Sequence, residues 1–92
     1  MKKKSIDHTQ LLLLKLLSSE DMYGYQIILA LARRSSNVFE MKEGTLYPVL
    51  HGMEREGYVE AYEKTASTGR MRKYYHLTRA GRAALTEEEQ SW

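Results

Sequence analysis

The charges of this chain are sorted along its length. Between positions 64 and 86 stand six basic residues, Lys64, Arg70, Arg72, Lys73, Arg79 and Arg82, and no acidic one. Glu54, Glu56, Glu60 and Glu63 come just before them. Clustered Lys and Arg on one surface attract phosphate. Alternation along an extended strand puts Arg70, Arg72, Tyr74 and His76 on one side, with Met71, Lys73, Tyr75 and Leu77 on the other. Lys and Arg also protect exposed strand edges from aggregation. Three bases, Arg70, Arg72 and Lys73, close to the single Gly69 exceed that need. Phosphate binding is the favoured reading.

Other chemistry is poorly supplied. His8, His51 and His76 lack metal-ligand spacing, and the chain has no cysteine, so no metal, disulfide or thiol chemistry is expected. No Gly-rich phosphate loop, G-x-S-x-G elbow or H-E-x-x-H pair occurs. The Glu54/Glu56 pair reads as solvated. Seven tyrosines suit a single-strand binder that stacks bases, but several fall at inward-looking positions, where core packing is the plainer reading. The sequence is not that of an enzyme, and it calls for no cofactor.

These residues must be positioned by a small domain. Across 92 residues, 42% apolar and 28% charged with one Pro and six Gly is an ordinary globular balance, which excludes a largely disordered or collagen-like chain. The formal charge of +2 is too small to name a partner. Lys2, Lys3 and Lys4 before a leucine-rich run imitate a secretory signal, but Asp7, His8, Gln10 and Lys15 interrupt it. The longest unbroken apolar run, residues 11–14, falls far short of the roughly 20 needed to span a membrane. A soluble, cytoplasmic protein is expected.

Ser5 and Asp7 are both suitable N-caps for a first helix to about Leu17. Ile6, Leu13, Leu16 and Leu17 share one face, while Leu11 and Leu14 lie well round the cylinder. A surface helix of a monomer needs only one stripe. Self-association through the second face is favoured over a helix buried centrally in its own domain. A second helix is predicted over 23–34, with Tyr23, Ile27, Ile28 and Leu31 as its stripe and Gly24 for close approach. Residues 35–37 form the next break.

The third helix carries Pro48 inside the apolar period of Leu46, Val49, Leu50 and Met53. Proline is tolerated in a first turn, which predicts a start near Gly44 or Thr45. Gly57 suits the end. Opposite the stripe stand Gly44, Pro48, His51 and Arg55, flanked by Thr45 and Tyr47, a slender polar face. Strands over 58–64 and 70–77 follow, joined by a hairpin tip over 65–69 that ends in Gly69. Thr78 is the N-cap of a last helix running towards Trp92. The fold class is mostly α with a small β-hairpin wing, in the order α-α-α-β-β-α, a winged helix-turn-helix.

The sequence resembles the PadR family of bacterial transcriptional regulators. The matching residues are Tyr23-Gly24-Tyr25, Glu43-Gly44-Thr45-Leu46-Tyr47-Pro48, Glu54-Arg55-Glu56-Gly57, Gly69-Arg70-Met71-Arg72-Lys73-Tyr74-Tyr75, Leu77-Thr78 and Gly81. Together they span about residues 10–85. The resemblance implies a DNA-binding domain over 1–78 and a dimerising helix over 79–92. It also implies a homodimer that sets two third helices in successive major grooves of a palindromic operator and acts as a repressor. The DNA-binding set is then Tyr23, Lys42, Gly44, Thr45, Tyr47, Pro48, His51, Arg55, Arg70, Arg72 and Lys73. Relatives commonly carry a basic residue near Gly52, so fewer polar contacts are expected on this recognition helix. The dimer contact is expected between Leu85 and Trp92 of one chain and Leu11 and Leu14 of the other. Trp92 is also the candidate contact for a small aromatic effector, with simple dimer packing as the plainer reading. The rival from another class is a winged-helix module for protein–protein contact with no operator of its own.

Overall fold

The computed structural model describes residues 6–34 and 41–90. Trp92, the alternative cap Ser5 and the break at 35–37 lie outside them. Seven elements follow in order: α1 (His8–Ser19), β1 (Met22–Tyr23), α2 (Gly24–Arg34), α3 (Glu43–Arg55), β2 (Val59–Thr65), β3 (Met71–Leu77) and α4 (Arg79–Gln90). The expected helices and hairpin are all present, with one strand more than the sequence pattern shows.

Asp7 caps α1 by a reciprocal pair: its carboxylate accepts from the Gln10 N–H at 2.8 Å, and the Gln10 side chain accepts from the Asp7 N–H at 3.2 Å. The leucine-rich stretch then buries Leu13, Leu14, Leu16 and Leu17 together. α2, α4 and β3 all pack against α1, which explains why its apolar surface is wider than one stripe. This corrects the self-association reading of Leu14. That residue is 0% exposed within its own chain and has no surface to offer a partner. Leu85, on α4, is likewise enclosed at 7% exposure, and Leu11 is half-buried against the same core.

β1 is two residues long, too short to leave a pattern, and it pairs antiparallel with β3 through Met22↔Tyr75 and Tyr23↔Tyr74. The sheet order is therefore β1-β3-β2. Tyr23, assigned to the second helix from sequence, is a strand residue instead. Its N–H is taken by the Gln26 side chain at 3.1 Å as α2 begins. α2 buries Gly24, Ile27 and Leu31.

α3 starts at Glu43, one residue before the predicted start, so Pro48 sits in the second turn and not the first. Lacking an N–H, Pro48 leaves the Gly44 carbonyl without its usual i+4 donor. Leu46, Leu50 and Met53 hold the helix to the core. Its end is a Schellman motif: Tyr58 N–H donates to the Met53 carbonyl at 2.9 Å and Gly57 N–H to Glu54 at 3.0 Å. Gly57 takes φ 83°, where a side chain would be strained. Thr78 then ties this corner to α4, its hydroxyl donating to the Gly57 carbonyl at 2.6 Å and accepting from Gly81 N–H at 3.0 Å.

β2 and β3 form the hairpin wing, in register from Val59↔Leu77 to Thr65↔Met71. Ala66 and Gly69 close the turn (Gly69 N–H to the Ala66 carbonyl, 2.8 Å), and Ala66 N–H donates to Arg70. Val59, Tyr75 and Leu77 pin the base of the wing to the core.

Candidate nucleic-acid interface

α3 presents Gly44, Thr45, Pro48, His51 and Arg55 to solvent, with Leu46, Leu50 and Met53 buried behind them. The slender face read from the sequence is thus the outer face of this helix. Lys42, its N-cap, is exposed and makes no side-chain cap. The first N–H groups of a helix have no partner within it, and together with the helix dipole they favour an anion. Glu43 is also in that first turn and opposes the attraction.

Tyr47 is half-buried between α3 and α2. Its hydroxyl end lies against Gly24, and its ring faces that of His51 at a centroid distance of 6.4 Å, tilted by 34°. Beside it runs a groove of about 390 Å³ lined by Tyr23, Gly24, Tyr25, Glu43, Tyr47 and the wing segment Arg70, Met71, Arg72 and Lys73. β1 pairs only with Tyr74 and Tyr75, so this end of β3 has an unpaired edge along the groove. Three cations therefore converge on one opening from the wing, facing the start of α3. Of the expected set, the structure brings together Tyr23, Tyr47, Arg70, Arg72 and Lys73 in this groove, with Gly44 and Thr45 following Glu43 on α3. His51 and Arg55 extend the exposed face along α3, away from it.

The core reading holds for three tyrosines: Tyr75 is fully buried, and Tyr47 and Tyr58 are half-buried against the core. The Tyr75 hydroxyl has no hydrogen-bond partner among the described residues. Tyr23, Tyr74 and Tyr62 instead form a ladder on the sheet. Tyr23 meets Tyr74 edge-on at 5.4 Å, and Tyr62 stacks on Tyr74 at 5.7 Å. The Arg72 guanidinium lies 4.3 Å from the Tyr23 ring centre, a favourable cation–π placement. Asp21, between α1 and β1, accepts from the Tyr62 hydroxyl at 2.6 Å and pairs with His76 Nδ1 at 2.8 Å. Burial alone would raise the Asp21 carboxyl, but those two hydrogen bonds and the nearby charge of His76 and Lys64 bring it below its usual 3.8. The same bond pushes the Tyr62 hydroxyl up to about 12.

No sequence pattern links these residues, because the partners of Asp21 are 41 and 55 positions away from it. Among the described residues no group of His, Asp and Glu could hold a metal ion, and no helix is long and apolar enough to cross a membrane.

Comparison with known proteins agrees with this architecture. Residues 13–87 match the model of the transcriptional regulator PadR-like family. A transcriptional regulator of Mycobacterium tuberculosis, Rv3488, is 34% identical over 74 residues, which cover 80% of this chain and 65% of that protein. The crystal structure of a PadR-like transcriptional regulator from Bacillus cereus superposes with a TM-score of 0.81 at 36% identity, covering 91% of this chain and 80% of that one. A PadR family transcription regulator from Clostridium difficile superposes at 0.78 with 35% identity, covering 94% and 88%.

Proposed function

The chain belongs to the PadR-like family of transcriptional regulators, and from that membership we propose that it is a cytoplasmic homodimeric repressor that reads a palindromic operator in duplex DNA. Members of the family are regulators and not enzymes. The observation that carries the proposal is the exposed polar face of α3 standing beside three wing cations.

In this reading α3 enters the major groove. Arg55 reads guanine, Pro48 touches a thymine methyl, and His51 faces a base edge. Gly44 and Thr45 let the helix N-terminus approach a phosphate, and Lys42, Tyr47 and Tyr23 add contacts to the backbone. Arg70, Arg72 and Lys73 neutralise phosphates and set position without reading sequence. Two copies place their α3 helices on half-sites about one helical turn, roughly 34–36 Å, apart. Repression is steric, the dimer excluding polymerase. Because Leu14 and Leu85 are enclosed within their own chain, the dimer contact is assigned instead to the outer surface of α4 together with Trp92. A small aromatic effector would act there through Trp92.

The test is selection of sites from random DNA by the wild-type protein, His51→Ala and Arg55→Ala, beside a gel shift on the DNA upstream of its own gene. Each substitution is expected to relax one position of the site, at a cost of about 1–3 kcal/mol per matched base pair. An identical selected site for all three proteins overturns the assignment of the α3 face. Absence of any salt-sensitive duplex binding favours a protein-contact module.

A further inference from the structure

The wing carries a second cationic opening, on the sheet face turned away from the core. Residues alternate across the hairpin, so Glu60, Tyr62 and Lys64 share that face with His76, Tyr74 and Arg72 opposite them in register. Lys64 therefore stands directly across from Arg72. Like charges so placed destabilise an antiparallel pair. On the other face the neighbouring cation Lys73 has Glu63 opposite, which is the favourable arrangement.

Both cations are held in place. Lys64 Nζ lies 5.4 Å from the Tyr74 ring centre, and Arg72 lies over Tyr23 at 4.3 Å. A ring face orients a cation but does not neutralise it. The field of Asp21 reaches Lys64, yet both oxygens of that carboxylate are engaged by Tyr62 and His76. The two cations open onto a groove of about 330 Å³ that is also lined by the turn residues Ser67 and Thr68 with their hydroxyls. Tyr23 and Arg72 line this groove and also the one facing α3. The two openings thus share one wall.

We propose that the outer groove seats a backbone phosphate of duplex DNA, held by Lys64 and Arg72 with the turn hydroxyls as donors. An anion there converts the Lys64–Arg72 repulsion into two attractions. Continuity through the Tyr23–Arg72 wall makes the partner the same duplex that α3 engages, and the wing then has backbone on both of its sides. The inference rests on the DNA-binding reading above and extends it to a contact outside the groove between wing and α3.

The experiment is a salt titration of operator affinity for wild type, Lys64→Gln and Lys73→Gln, with ethylation interference to map the phosphates. Glutamine keeps most of the lysine stem that covers the ring, and circular dichroism checks the fold. Each lost phosphate contact lowers the slope of log affinity against log salt by about 0.9, hence by about 1.8 for both copies in a dimer. Lys64→Gln is expected to show that loss and to release one interfering phosphate per half-site that Lys73→Gln retains. A wild-type slope and an unchanged interference pattern in Lys64→Gln, with Lys73→Gln reduced, overturn the outer seat while leaving the DNA reading intact. A wild-type protein with no salt-sensitive binding overturns both. If Lys64→Gln weakens only the competition by inorganic phosphate and not the duplex slope, the seat belongs to a free anion and the proposal is wrong.

Discussion

The Tyr47 hydroxyl occupies the place where a Cβ on Gly24 would stand, and the ring carbon that bears it is 2.8 Å from that point. The start of α2 and the first half of α3 are therefore in contact through a tyrosine ring laid on bare backbone. This contact sets how α3 sits on the domain, and with it the aim of His51 and Arg55.

Gly24→Ala forces the Tyr47 ring aside. Overpacking of this kind costs about 1–3 kcal/mol. Denaturant unfolding should show a loss in that range and operator binding should weaken, because the ring also lines the groove facing the wing. In a Tyr47→Leu background the same change should cost markedly less, a coupling that a double-mutant cycle measures. Equal costs in both backgrounds would mean that the contact does not set the packing.

Gly44→Ala should do the opposite to stability. Nothing lies within 4 Å of a Cβ built there, and alanine in a helix is favoured over glycine by about 0.5–1 kcal/mol. Stability should rise while operator affinity falls, since the added methyl stands on the exposed α3 face proposed to contact DNA. A rise in stability with unchanged affinity would remove Gly44 from the interface.

Leu14→Glu tests the corrected role of α1. Had Leu14 faced a partner chain, the variant would be a folded monomer. Leu14 is 0% exposed inside its own chain, and an unpaired carboxylate in such a place costs several kcal/mol. The variant should lose its cooperative unfolding transition and near-ultraviolet dichroism, whereas sedimentation of a well-folded monomer would place Leu14 in an interface between chains.

Helix α3 and the wing were legible because local rules write them. Pro48, Gly57 and the apolar period around Leu50 mark out α3, and Gly69 among small polar residues marks the hairpin tip. The start of α3 was off by one residue because first-turn tolerance of proline is a preference, and the packing of Leu46, Leu50 and Met53 outweighs one missing hydrogen bond. Leu14 was misread for a different reason. A wide apolar surface on α1 has the same pattern whether its second face meets a partner or meets α4, and only tertiary structure decides between them. β1 and the Asp21 cluster were invisible, since a two-residue strand has no period and the cluster joins residues far apart in sequence.

That cluster gives the last prediction, a pH dependence of stability. The Tyr62 hydroxyl donates to Asp21 and its pKa is pushed from 10.0 up to about 12 in the folded protein. A raised folded value means that the bond stabilises fully below pH 10, and that this contribution drains away as pH rises towards 12, because the unfolded chain releases the proton first. The Asp21 carboxyl is shifted the other way. Burial works against the shift, but the Tyr62 and His76 hydrogen bonds prevail and hold it below 3.8. Its contribution is therefore present above 3.8 and is lost as pH falls through the lower folded value. Tyr62→Phe removes one donor and keeps the ring that stacks on Tyr74. Urea midpoints measured across pH for both proteins should differ most near neutrality and converge at both extremes, above about pH 12 and in strong acid. The difference isolates Tyr62 from the lysines and other tyrosines that titrate in the same alkaline range. A constant gap between the two midpoint curves would mean that the Tyr62–Asp21 bond contributes nothing to folding.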